Sequence, residues 1–144
     1  MNVLIVCIAN ICRSPVAEVL LKHKLNEDFN ISSAGVYARE YETMDPRSIK
    51  YLESKNLSNF FHLSKIISSK SLDSADIVLS LDSEIRKEII RLFPRYTAKV
   101  FLLSEDQTIG IQDPYKLKDI QGYFRIMEEI SEGVNYWAKR LTLN

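Results

Sequence analysis

The sequence predicts an α/β fold in three layers, with a four-stranded parallel sheet and helices on both of its faces. Short apolar segments that suit strands alternate with amphipathic segments that suit helices, which favours a sheet wound on both faces. Residues 3–6 form a continuous apolar run, as expected of a strand buried on both faces of a parallel sheet. The 144 residues fit one compact domain, and no break within residues 1–144 indicates a second one.

Apolar spacing and helix-start signals define the elements of the first half. Apolar side chains recur at helical spacing over residues 16–23, and Pro15 stands where the missing N–H of a proline would be unpaired in any case. Residues 31–34 are predicted to form the second strand. Asp45 can cap a further helix that begins at Pro46.

The second half continues the alternation. Residues 76–81 are predicted to form the third strand, and Asp82 can cap a helix that Pro94 ends. Residues 99–103 are the fourth strand candidate, and apolar side chains at steps of three and four predict a long helix over residues 120–141. Ligands of such sheets bind at the carboxyl ends of the strands, so the loop after the first strand is a candidate binding site.

The composition argues against several classes of function. The 19 basic and 19 acidic side chains give a formal net charge of zero, which disfavours nucleic-acid partners. No apolar run reaches the ~20 residues of a membrane span and no basic segment precedes the first one, so we expect a cytoplasmic protein without membrane insertion. The two cysteines are too few for a disulfide framework. With His23 and His62 they lack the ligand spacing of a zinc site, so neither metal nor cofactor is expected.

The loop after the first strand carries the chemistry. Cys7 and Arg13 stand in a C-x5-R pattern between the predicted strand and the predicted helix. A loop of this length can turn several backbone N–H groups inward beside a helix N-terminus, which creates an anion site. The planar guanidinium of Arg13 can bind two oxygens of a phosphate. The predicted phosphate-binding loop comprises Ile8, Ala9, Asn10, Ile11, Cys12, Arg13 and Ser14.

Cys7 is expected at the base of this loop, where inward N–H groups favour a thiolate. A thiolate under a bound phosphoryl group is a nucleophile in position, so the pattern predicts a phosphocysteine intermediate. Ser14 can donate a hydrogen bond to the sulfur, and Asn10 tolerates a left-handed backbone better than most residues. From the spacing alone, a buried cysteine in a tight turn is an equal alternative.

Several segments then fall in an order that is typical of one protein family. Residues 6–15 read VCIANICRSP, where the family has V-C-x-G-N-x-C-R-S-P. The other segments are SAG at 33–35, DPRS at 45–48, HLSK at 62–65, LSLD at 79–82 and DPY at 113–115. Over nearly its whole length the chain thus resembles the low-molecular-weight protein tyrosine phosphatases. The resemblance implies a four-stranded parallel sheet and metal-free hydrolysis of protein phosphotyrosine, with release of inorganic phosphate.

The resemblance also implies roles for individual residues. By position, Cys7 is the nucleophile, Arg13 binds the phosphate, and Asp113 is the general acid that later activates water. A leaving group needs a proton donor that faces the thiolate, and an Asp-Pro pair is a stiff turn that can aim a carboxyl group inward. Such a pair is also common in ordinary turns. Ser33 and His62 match a network that holds the family's phosphate loop, although His62 fits a plain core or surface position equally well.

The expected substrate cleft is aromatic. Tyr115 matches an aromatic wall that would stack on the phenol ring of the substrate. The variable loop of residues 36–44 carries Tyr37, Arg39 and Tyr41. Tyr37 and Tyr41 are expected in the cleft, and which side chain of that loop faces it stays open. The DPY segment is followed by a basic residue, Lys116, as in bacterial members of the family that act on tyrosine kinases of polysaccharide export. Such a kinase is therefore an expected partner.

Ala9 and Cys12 are the two residues of the predicted phosphate loop whose effects stay open. Ala9 replaces the family glycine, and if this position needs a positive φ the change costs roughly 1 kcal/mol. Cys12 matches a cysteine that forms a reversible disulfide with the nucleophile under oxidation. The alternative for Cys12 is a small buried residue that faces the first helix.

Three other functions compete with tyrosine dephosphorylation. A thiol-dependent arsenate reductase of this fold needs cysteines beyond the two present, which argues against it. In phosphoarginine phosphatases, threonine usually stands at the position of Ile11 and phenylalanine at that of Tyr115, so both residues favour phosphotyrosine. A non-catalytic phosphate-binding module is opposed by the intact nucleophile, arginine and acid.

Overall fold

The computed structural model of the chain describes residues 1–143, with four strands in a single parallel sheet. The strands are β1 (Asn2–Cys7), β2 (Asn30–Gly35), β3 (Ile77–Ser80) and β4 (Val100–Leu102). Their order in the sheet is β2-β1-β3-β4, and every neighbouring pair is parallel. The predicted four-stranded α/β fold is therefore confirmed.

Five α-helices accompany the strands in the described part of the chain. They are α1 (Ser14–Lys24), α2 (Pro46–Ser54), α3 (Ser69–Ser74), α4 (Ser83–Leu92) and α5 (Ile120–Thr142). The β1–β2 crossover through α1 and the β3–β4 crossover through α4 run in opposite directions across the sheet. Since parallel crossovers are right-handed, α1 and α4 lie on opposite faces, which gives the three layers. None of the helices described within residues 1–143 is long and apolar enough to cross a membrane.

The helix starts follow the predicted signals, and the differences lie in short elements. The Asp45 side chain accepts a hydrogen bond from the N–H of Arg47 at the start of α2, and Asp82 accepts one from Ile85 at the start of α4. Helix α3 was not predicted, because it spans less than two turns and buries only Leu72. A 3₁₀-helix over Pro94–Lys99 was also not predicted, and β4 is correspondingly shorter than expected.

Gly35 brings β2 close to the loop that follows β1. The residue pairs with Cys7 at the carboxyl ends of the two strands. A Cβ added to Gly35 would lie 2.4 Å from the carbonyl oxygen of Ile8 and 3.0 Å from the carbonyl carbon of Ala9. Both contacts are with backbone atoms, which cannot rotate away. Glycine is therefore needed here for close approach.

We predict that Gly35→Ala lowers the free energy of unfolding by about 1–3 kcal/mol, as expected when a methyl group is forced into a packed site. Denaturant unfolding monitored by circular dichroism measures the change. Gly122→Ala is the matched control, since a Cβ there would meet the carboxylate of Asp119 at 3.2 Å and no backbone atom closely. Equal stability of the Gly35→Ala variant and the unaltered chain would contradict the packing argument.

Candidate active site

A cleft of about 350 Å³ opens beside the loop that connects β1 and α1. Loop residues 7–9 and 11–13 line it, together with Tyr37, Arg39, Glu42, Asp113 and Tyr115. The cleft therefore lies at the carboxyl end of a central strand, where the sheet topology predicts a ligand site.

The sulfur of Cys7 is buried and surrounded by hydrogen-bond donors. The backbone N–H of Asn10 donates to it across 3.2 Å. The hydroxyl of Ser14, the first residue of α1, lies 2.9 Å from the same sulfur. A helix N-terminus carries a partial positive charge, so all three features favour a negative charge at this position. These contacts would stabilise a sulfur nucleophile in the cleft.

Asn10 holds the loop in shape through its backbone and its side chain. Its φ is 59°, in the left-handed region, and it is fully buried. The amide nitrogen donates to the hydroxyls of Ser14 (2.8 Å) and Ser33 (3.0 Å), and the amide oxygen accepts from the N–H of Lys65 (3.0 Å). The carbonyl of Asn10 lies 2.7 Å from Nε2 of His62. The structure thus brings together the expected network of Asn10, Ser33 and His62.

The hydrogen bond with Asn10 and the burial of the ring determine the tautomer and the charge of His62. A carbonyl only accepts hydrogen bonds, so Nε2 of His62 carries the hydrogen that reaches Asn10. Burial lowers the pKa of His62, so the neutral ring is favoured. On the opposite side, the Ser33 hydroxyl donates to Glu18 on α1 across 2.5 Å, and Glu18 is paired with Lys22 at 2.6 Å.

The Arg13 guanidinium is held by two groups outside the phosphate loop, Asp82 and the carbonyl of Ile111. Its side chain is 1% exposed, and Nη1 donates to Asp82 (2.8 Å) and to the carbonyl of Ile111 (2.7 Å). Asp82 uses its second oxygen to cap α4, 2.9 Å from the N–H of Ile85. The cap was predicted from the sequence, but the partnership with Arg13 was not, because nothing local marks a contact across 69 residues.

Asp113 faces the same guanidinium from the other side of the cleft. Its Oδ2 lies 3.8 Å from Nη2 of Arg13, and its side chain is 41% exposed. Its Oδ1 accepts the backbone N–H of Tyr115 at 3.0 Å. A partly exposed carboxyl group that is fixed on one oxygen can exchange protons with a bound molecule and with water.

The two unusual loop positions have clear environments. Ala9 is not among the residues with positive φ in the described chain, so the alanine causes no backbone strain. Cys12 is buried, and its sulfur lies 3.6 Å from Oδ2 of Asp45. Burial raises the pKa of the Cys12 thiol to about 12. A hydrogen bond with Tyr123 lowers this pKa, and the nearby Asp45 carboxylate raises it. Both cysteines are free thiols.

The variable loop contributes one of its two expected tyrosines to the cleft. Tyr37, Arg39 and Glu42 line the cleft, whereas Tyr41 is 75% exposed and is not among the lining residues. Buried Ser64 fixes this arrangement, because its hydroxyl contacts both the N–H of Glu42 (2.8 Å) and the carbonyl of Arg39. Tyr41 has a φ of 69°, in the left-handed region, so the backbone turns there. No sequence signal marks this turn.

Within residues 1–143, no group of three or more histidine, cysteine, aspartate or glutamate side chains is arranged to hold a metal ion.

A buried cysteine in the loop between β1 and α1 of a parallel α/β sheet, with an arginine six residues later, is typical of small cysteine-dependent phosphatases. Over residues 2–144 the chain matches the family model described as low molecular weight phosphotyrosine protein phosphatase, and it belongs to this family. It is accordingly a phosphoric monoester hydrolase of the protein-tyrosine-phosphatase class.

Relatives of two kinds are similar to the chain. The probable low molecular weight protein-tyrosine-phosphatase EpsP of Ralstonia nicotianae is 32% identical over 140 residues, covering 97% of this chain and 95% of that protein. The protein-arginine-phosphatase of Bacillus subtilis is 32% identical over 147 residues, covering 98% and 97%. The solved structure of the tyrosine phosphatase Wzb from Escherichia coli K30 with sulphate is 28% identical, with a TM-score of 0.90 and 97% coverage of both chains.

We predict that Asn10→Ala lowers both stability and turnover. The change removes three side-chain hydrogen bonds, two of them buried, and places alanine at positive φ, a combined loss of about 2–4 kcal/mol. Denaturant unfolding and aryl phosphate hydrolysis measure the two effects. Asn56→Ala is the matched control, because Asn56 also has a positive φ, of 60°, but is exposed. If both variants lose the same stability, the hydrogen bonds of Asn10 do not hold the loop.

Proposed function

We propose that the chain hydrolyses protein phosphotyrosine through a phosphocysteine intermediate, with Cys7, Arg13 and Asp113 as its catalytic residues. One observation carries the proposal. The sulfur of Cys7 lies between the N–H of Asn10 and the hydroxyl of Ser14, in the cleft where Arg13 and Asp113 approach each other to 3.8 Å.

In the first step the Cys7 thiolate attacks the phosphorus atom. A bond between Sγ and phosphorus forms, and the bond between phosphorus and the tyrosine oxygen breaks. Asp113 gives its proton to that oxygen, so tyrosine leaves as the neutral phenol. The Nη2 side of Arg13 stabilises the charge on the non-bridging oxygens, and its guanidinium is already held in place by the contacts of Nη1 with Asp82 and Ile111.

In the second step water hydrolyses the intermediate. The Asp113 carboxylate takes a proton from the attacking water, a new bond between oxygen and phosphorus forms, and the bond between sulfur and phosphorus breaks. The leaving thiolate is stabilised by the N–H of Asn10 and the hydroxyl of Ser14. Inorganic phosphate is released, and Cys7 returns to its starting state.

The cleft supports an aromatic substrate. Tyr37 and Tyr115 are each 58% exposed and both line it, so they offer ring faces to a phenol ring. A tyrosine kinase of polysaccharide export is the proposed protein substrate, on the resemblance of the DPY-Lys116 segment to bacterial members. The cytoplasm is the proposed location, because two free thiols persist in a reducing compartment.

Phosphoarginine is the second candidate substrate, since the Bacillus subtilis relative is named a protein-arginine-phosphatase. The structure places Ile11 and Tyr115 in the lining of the cleft. The aliphatic Ile11 side chain offers no hydrogen bond to a guanidinium, and Tyr115 carries the hydroxyl that the phenylalanine expected in phosphoarginine phosphatases lacks. Both residues support phosphotyrosine.

We predict that Cys7→Ser abolishes aryl phosphate hydrolysis and that Asp113→Ala lowers kcat. For phenyl phosphate, whose leaving group needs a proton, the Asp113→Ala loss is about 10²–10⁴-fold. For para-nitrophenyl phosphate the loss is smaller, since that leaving group departs without a proton. Asp28→Ala, at an exposed site outside the cleft, is the control. Turnover by the Cys7→Ser variant would disprove the phosphocysteine route.

We predict that the unaltered chain hydrolyses a phosphotyrosine peptide faster than a phosphoarginine peptide of matched sequence. Phosphate release measured at equal substrate concentration gives the ratio of kcat/KM values. The Ile11→Thr, Tyr115→Phe double variant should shift this ratio towards phosphoarginine, because it introduces the residue types expected in phosphoarginine phosphatases. A faster reaction of the unaltered chain with phosphoarginine would reverse the assignment.

A further inference from the structure

Arg47, near the start of α2, joins two loops that are distant in sequence. Its guanidinium donates to the carbonyls of Tyr115 (3.1 Å) and Leu117 (2.6 Å). Both carbonyls belong to residues 113–117, here called the acid loop. The same guanidinium pairs with both oxygens of Asp45, through Nε at 3.1 Å and Nη2 at 2.8 Å.

Asp45 in turn is attached to the phosphate loop. Its backbone N–H donates to the carbonyl of Ile11 across 2.9 Å, and its Oδ2 lies 3.6 Å from the sulfur of Cys12. Burial opposes the charge of Asp45, but the hydrogen bonds from Arg47 hold the pKa of its carboxyl below the usual range, so the ion pair persists. A continuous path of contacts therefore runs from the phosphate loop through Asp45 and Arg47 to the acid loop.

The path ends one hydrogen bond from the proposed acid. The N–H of Tyr115 donates to Oδ1 of Asp113, while the carbonyl of Tyr115 accepts from Arg47. The guanidinium also lies 4.2 Å above the ring of Tyr123, which restricts its orientation. Its four hydrogen bonds require the planar fork of arginine, which a lysine cannot reproduce.

We propose that Arg47 is a positioning residue that holds Asp113 at the correct distance from the phosphate loop for proton transfer to the leaving oxygen. This inference rests on the proposed function. Arg47 is not among the residues that line the cleft, so it acts through Asp45 and Tyr115 rather than on the substrate. Its loss leaves Cys7 and the phosphate cradle in place and removes the alignment of the acid.

The test compares Arg47→Gln and Arg47→Lys on two substrates. With phenyl phosphate, kcat should fall about tenfold or more, as expected when part of the general-acid contribution is lost. With para-nitrophenyl phosphate, kcat should fall less than about threefold, since its leaving group needs no proton. The inhibition constant of inorganic phosphate should not change, because the cradle is intact. Arg47→Lys keeps the charge and covers the case in which Arg47→Gln folds poorly.

Arg95→Gln is the matched control. Arg95 also lies over a tyrosine ring, that of Tyr96 at 5.2 Å, and near a carboxylate, that of Asp73 at 3.9 Å, but it lies outside the lining of the cleft. We expect both substrates to react with this variant as with the unaltered chain. An effect of Arg95→Gln equal to that of Arg47→Gln would overturn the assignment.

A double-mutant cycle separates positioning from general support. In the Asp113→Ala background, Arg47→Gln should cause no further loss with phenyl phosphate, because no acid remains to be aligned. Equal losses on both substrates, or the same loss with and without Asp113, would overturn the inference while leaving the proposed function intact. Absence of Cys7-dependent turnover in the unaltered chain would overturn both.

Discussion

The left-handed backbone of Asn10 is the constraint on which the rest of the site depends. This conformation disfavours most L-residues by roughly 1–2 kcal/mol. It turns the N–H of Asn10 towards the sulfur of Cys7 while the side chain bonds to Ser33 on β2, Ser14 on α1 and the N–H of Lys65. Three separate parts of the fold thus converge on one amide. Hydrogen bonds of about 1 kcal/mol each offset the backbone cost, so a strained turn becomes a stable cradle.

Arg13, in the cleft, and Arg47, behind the acid loop, are each held by a carboxylate that also caps a helix. Asp82 and Asp45 each cap a helix with Oδ1 and bind a guanidinium with Oδ2, that of Arg13 and that of Arg47 respectively. A negative charge at a helix N-terminus interacts favourably with the helix dipole. Each helix start therefore anchors a cation, one at the phosphate and the other behind the acid loop. Preorganised charges of this kind need no rearrangement when the reaction begins.

Much of this arrangement follows from local sequence, and the rest requires contacts across the chain. Strand β1 and the Cys7–Ser14 turn could be predicted, because an apolar run and a helix-start signal act over a few residues. The partnership of Arg13 with Asp82 could not, since the two residues meet only when β1 and β3 pair in register. The position of Tyr41 depends on buried Ser64, whose role has no sequence signature. Local rules thus locate the chemistry, while tertiary contacts decide its geometry.

The two cysteines of the loop carry the same thiol group but lie in different surroundings. The sulfur of Cys7 meets a backbone N–H and the hydroxyl of Ser14 beside a helix start. The sulfur of Cys12 is buried and faces the Asp45 carboxylate, and its pKa is raised to about 12. Because a thiolate is the form that attacks an oxidised sulfur, the burial that raises the pKa of Cys12 disfavours it as a disulfide partner, and the Asp45 carboxylate adds to this effect. Asp45 also pairs with Arg47, so one carboxylate contacts both the second thiol and the residue proposed to position the acid.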